Sequence, residues 1–68
     1  MNEDVFNVSV RQFLKKFGIT AQREIERAVR NGLNSGSLKG NEKLNAEAVL
    51  KIDGLPGEIR VDGEIALE

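Results

Sequence analysis

The chain has 68 residues, carries 10 Lys and Arg against 11 Asp and Glu for a net charge of −1, and contains no cysteine, histidine, tryptophan or tyrosine. A domain of this size buries only roughly 60% of its unfolded surface, and without cysteine neither a disulfide nor a thiolate-bound metal can reinforce it. With no histidine or cysteine a catalytic triad cannot be assembled, so the composition points away from an enzyme and implies no cofactor and no metal. The start Met1-Asn2-Glu3-Asp4 is polar and acidic, with no basic segment or apolar run of signal or membrane-spanning length. A cytoplasmic location with no membrane contact is expected.

Asn2, Glu3 and Asp4 supply capping side chains and negative charge where a helix N-terminus favours both. A first helix is therefore predicted over about residues 4–17. Phe6, Val10, Phe13, Leu14 and Phe17 fall on one stripe, and Arg11 and Lys15 fall away from it. These are all three aromatic residues of the chain, and they read as core. Gly18 suits the left-handed residue that ends a helix, Ile19 the apolar follower, and Thr20 the cap of a second helix over about residues 21–34.

In that second helix Ala21, Ile25, Ala28, Val29 and Leu33 form the buried stripe, and Arg23, Arg27 and Arg30 gather on the far side. The arginines have two readings. They form a solvated face, with Glu26 pairing Arg30 and Arg23 and Glu24 beside Arg27, or they form a stripe that meets an anion or an acidic partner. Gly36 followed by Leu38 should stop the helix, although Gly32 with Leu33 fits the same motif. The following Gly36-Ser37-Leu38-Lys39-Gly40 has neither the spacing of a phosphate loop nor a preceding strand.

From Leu44 the period changes to two. Leu44, Ala46, Ala48, Leu50 and Ile52 alternate with polar residues, as do Ile59, Val61, Gly63, Ile65 and Leu67, predicting strands over about residues 42–52 and 58–67. Pro56-Gly57 suits the centre of a type II turn. Opposing Asp53 to Glu58 makes one face wholly apolar but sets Lys51 against Arg60 and Glu47 against Glu64. A two-residue slip keeps the faces and pairs Lys51 with Asp62 and Asp53 with Arg60. Glu47, Asp62 and Glu64 gather acid on the outer face without the converging oxygens of a cation site.

The expected architecture is α+β: two N-terminal helices packed on one face of a C-terminal β-hairpin, an α-α-β-β two-layer sandwich forming a single domain over residues 1–68. Both edges of such a ribbon are unpaired and invite a homodimer through the ribbon edge. Charge is divided unevenly, with seven basic and four acidic residues in 1–40, then three and seven in 41–68. The order of helix, glycine-containing turn, helix and hairpin resembles part of a winged helix-turn-helix, with Gln22 and Arg23 opening a recognition helix. Against that outline stand the missing third helix and the acidic hairpin.

The runs Phe13–Thr20 and Glu24–Arg30 and the segment Leu38-Lys39-Gly40-Asn41-Glu42, together with the Met-Asn-Glu-Asp start, resemble a family of short bacterial proteins of unknown function. The resemblance implies a bacterial cytosolic origin and carries over no site. The function expected is a small non-catalytic protein-interaction module, self-association being one route, with nucleic-acid binding through the arginine stripe as the alternative.

Overall fold

The computed structural model describes all 68 residues, and its elements are α1 (Glu3–Ser35), β1 (Lys43–Leu50) and β2 (Ile59–Ala66). They divide into two compact units, Met1–Ser37 and Leu38–Glu68. The chain is α+β, but its element order is α-β-β. The two helices expected over residues 4–17 and 21–34 are a single helix of 33 residues, about 50 Å long at 1.5 Å per residue.

The correction turns on Gly18. A left-handed glycine there would end the helix, but the glycines with positive φ are Gly36, Gly40, Gly54 and Gly57. One glycine in a helix interior costs only about 1 kcal/mol, and no proline follows to prevent the backbone from continuing. The apolar steps Phe17, Ala21 and Ile25, each four residues apart, carry the stripe through the expected turn.

Both ends of α1 follow the sequence. Asn2 is extended at φ −95°, its Oδ1 accepts the Val5 amide at 3.1 Å and its carbonyl accepts the Phe6 amide at 3.0 Å. Glu3 and Asp4 occupy the first turn, where the helix dipole favours anions. At the other end Gly36 turns left-handed at φ 83° and its amide bonds back to the Leu33 carbonyl at 3.3 Å. The Gly32 carbonyl, otherwise open at the terminus, accepts from the hydroxyls of Ser35 and Ser37, both at 3.2 Å.

In the second unit β1 and β2 pair antiparallel, with Leu44 opposite Ile65, Ala46 opposite Gly63, Ala48 opposite Val61 and Leu50 opposite Ile59. The apolar face is the one alternation indicates. The register differs from both expected ones by an even shift, and Lys51 meets Glu58 at 3.5 Å beyond the last ladder pair. The hydrogen-bonded turn is Ile52–Leu55, closed by the Leu55 amide on the Ile52 carbonyl at 3.1 Å, with Gly54 at φ 88°. Gly57 takes the positive φ of 83° that a Pro-Gly turn requires, yet the hairpin is centred two residues earlier than Pro56-Gly57 implies.

This register removes the expected clash of Lys51 with Arg60 and sets Glu47 opposite Asp62 instead. Arg60 resolves that opposition by forming ion pairs with both carboxylates. Replacing Arg60 with alanine should destabilise the hairpin by up to about 1 kcal/mol, and high salt should recover most of the loss, because exposed charges in direct opposition are screened. Amide exchange of the strand residues at low and high salt measures this. Protection unchanged at low salt would show that the two carboxylates do not repel.

Neither unit contains a fully buried side chain. In the hairpin Leu44, Ala46, Ala48 and Leu50 are half-buried, while Val61 and Ile59 remain 60% and 50% exposed. The small Ala46, Ala48 and Gly63 at the centre of this face explain why it covers its own neighbours poorly.

Candidate functional site

Continuity of α1 fuses the two expected stripes into one. Phe6, Val10, Phe13, Leu14 and Phe17 make its N-terminal half, and Ala21, Ile25, Ala28, Val29 and Leu33 its C-terminal half, with Gly32, which was not among the expected residues, falling on the same side. At about 100° per residue the band is roughly 160° wide, with Leu33 at its rim. The three phenylalanines, expected as core, are 49%, 53% and 39% exposed at Phe6, Phe13 and Phe17. The unit Met1–Ser37 contains no second element, so nothing within it covers the stripe.

Arg23, Arg27 and Arg30 lie on the opposite side of the same helix. Glu24 holds the Arg27 guanidinium at 3.4 Å and Glu26 approaches Arg30 at 3.9 Å. Arg23 has no ion pair, because the Gln22 amide occupies Glu26 at 3.0 Å. All these side chains are well exposed, and such pairs contribute only a few tenths of a kcal/mol each. The helix-turn-helix outline fails on geometry: residues 18–20 are helical, so Gln22 and Arg23 sit within α1 and begin no recognition helix.

The hairpin unit holds one feature that periodicity did not reveal. After Leu38 the chain turns at Gly40, φ 103°, and aims two consecutive amides at the Glu42 carboxylate. Lys39 donates to both oxygens at 3.2 and 2.9 Å, and Gly40 donates at 2.9 Å. The Lys39 amide, then the Gly40 amide, hold the Glu42 carboxyl below its ordinary value of 4.5. The Gly-rich segment that superficially suggests a phosphate loop is thus filled by the chain's own carboxylate. The available signal was a glutamate two residues after a turn glycine, a common local arrangement that does not stand out in a sequence.

Because its folded-state pKa is depressed, Glu42 contributes stability that is present above 4.5 and is lost as pH falls through the lower folded value. The amide resonances of Lys39 and Gly40 should therefore titrate together, with a midpoint below 4.5. In Glu42→Gln that titration should vanish. A midpoint at or above the ordinary value would mean the bonds do not persist in solution.

The hollow at the hairpin turn, about 70 Å³ beside Leu50, Ile52, Leu55, Pro56 and Ile59, is the most enclosed, while wider hollows of about 330–450 Å³ on the outer face of the hairpin and along α1 lie open to solvent. Small-molecule sites usually enclose about 300–1,000 Å³. On the outer face Arg60 occupies the Glu47 and Asp62 carboxylates, and Glu64 stands apart opposite Asn45.

A family model, described as a family of unknown function (DUF6494), matches residues 1–68. The chain belongs to this family. No curated protein and no solved structure matches it. The DUF6494 match spans both units, helix and hairpin alike, and assigns no activity to either. No helix of this DUF6494 member is long and apolar enough to cross a membrane.

Proposed function

We propose that the chain is a non-catalytic protein-interaction module of the cytoplasm that docks another polypeptide along the apolar stripe of α1. The observation that carries this is the exposure of Phe6, Phe13 and Phe17 on one face of a 33-residue helix. Apolar surface in a continuous band is stabilised by being covered, and a helix laid along it is the commonest way to cover it. The shallow, open form of the larger hollows, the pairing of Glu47 and Asp62 with Arg60 and the hydrogen bonding of Glu42 to its own loop favour a surface function over chemistry. A chain without cysteine needs no oxidising compartment. The outer edges of β1 and β2 are a second route to a partner, since each strand pairs on one side only.

The test compares two substitutions in the tagged full-length chain, isolated from cells after brief cross-linking. Phe13→Asp should abolish the cross-linked complex, and Arg27→Glu should leave it intact. The reverse pattern, with co-purifying nucleic acid that salt removes, would replace this proposal with the arginine-stripe alternative.

A further inference from the structure

We infer that the occupant of the α1 stripe is a second copy of α1 running antiparallel, centred at the level of Ile19. This rests on the docking role proposed above and narrows it to one partner. From Phe6 through Val10 and Phe13 to Phe17 the steps are 4, 3 and 4 residues. A step of 4 reaches Ala21, and from there through Ile25 and Ala28 to Gly32 the steps are again 4, 3 and 4. For these eight positions the spacing is the same from either end, so reversing one helix about its midpoint sets each of them level with another, while Leu14, Val29 and Leu33 flank the seam.

Side-chain size gives the direction. The N-terminal half of the stripe is bulky and the C-terminal half is small. Antiparallel pairing sets Phe6 against the partner's Gly32, Val10 against the partner's Ala28, Phe13 against the partner's Ile25 and Phe17 against the partner's Ala21. Each layer then combines a larger with a smaller side chain, and no aromatic ring is stacked on another. Parallel pairing would stack Phe6 on Phe6 at one end and Gly32 on Gly32 at the other, forcing the axes apart where the aromatics meet. Steps averaging about 3.7 residues exceed the 3.6 of a straight helix, so the seam turns by about 80° from Phe6 to Gly32 and the pair is expected to wind gently right-handed, unlike a heptad repeat.

With the phenylalanines 39–53% exposed and Val10, Leu14, Ile25 and Leu33 at 40–47%, each helix presents on the order of 600 Å² of apolar surface, rim included. Covering all of it on both copies buries at most on the order of 1,200 Å², where the range of stable specific interfaces begins. Being two-fold and isologous, the contact uses the same stripe on both copies.

The chain has no cysteine, so introduced thiols report without interference. Under mild oxidation of the full-length protein, Val10→Cys mixed with Ala28→Cys should give a disulfide-linked dimer, and neither variant alone should. Cross-linking by each variant alone would overturn the antiparallel arrangement. A spin label at Ser9, off the stripe, gives a second readout should seam thiols disturb packing. Antiparallel copies place the two labels about 30 Å apart along the axis, and parallel copies place them level. Light scattering of the unmodified chain should show a concentration-dependent dimer. A monomer at every concentration would overturn the second copy as occupant, and if Phe13→Asp still abolished the complex formed in cells, the docking role would stand with a different partner.

Discussion

Proline at Gly18 is expected to break α1 at its midpoint and cost about 3 kcal/mol or more, whereas alanine at the same position is expected to add about 0.5–1 kcal/mol. Proline removes the amide that would bond to the Leu14 carbonyl and drives its ring into that carbonyl. Alanine has no such problem, because Gly18 is within the helix, lacks a positive φ, and a Cβ built on it meets nothing within 4 Å. The opposite signs make the pair of variants decisive. If Gly18 were the left-handed end of a first helix, alanine there would be strained and would lower stability. Helicity by circular dichroism and the thermal midpoint read both effects, and a destabilising Gly18→Ala would restore the two-helix arrangement.

Phe13→Ala should have the larger effect on assembly. In the antiparallel pair each Phe13 packs at the partner's Ile25, and the substitution acts twice per dimer. Truncating a well-packed phenylalanine costs about 3–5 kcal/mol. Allowing for the 53% of Phe13 that is exposed beforehand, about 1.5–2 kcal/mol per site is expected to be lost on association. Twice that raises the dissociation constant by roughly 100- to 1,000-fold. Helicity should fall with it, because the stability of α1 derives from covering its stripe more than from local propensity. Ile19→Ala is the matched control: Ile19 is 52% exposed on the opposite side of the helix, and its loss should leave the dimer unchanged. Sedimentation across protein concentration measures both variants, and equal effects would show that the stripe is not the interface.

The limits of the helix were legible because caps are local chemistry. Asn2, Glu3 and Asp4 at one end and Gly36 at the other are recognisable without knowledge of the fold. The middle was not, since glycine both terminates helices and is tolerated within them, and only the observed φ separates the two cases. Alternation likewise identified the hairpin's apolar face but left its register open, because any even shift preserves the faces. The shift was set by the Ile52–Leu55 turn and by Arg60 reaching both Glu47 and Asp62, which are matters of distance and not of period. The candidate surface was visible as a stripe, yet it read as core, because the sequence does not say whether a second layer covers it within the same unit. The ion pairs within the arginine stripe are less legible: the bond from Gln22 to Glu26, expected instead as a partner of Arg23, depends on rotamers.

The loop at Gly40 has one more consequence. A carboxylate attached two and three residues beyond the amides it satisfies behaves as a tethered ligand, at an effective concentration on the order of millimolar or above. A phosphate or carboxylate arriving from solution must compete with that occupant for the Lys39 and Gly40 amides. Acid can vacate those amides by protonating Glu42. This segment of the chain is therefore built to answer to pH and to ignore dilute anions.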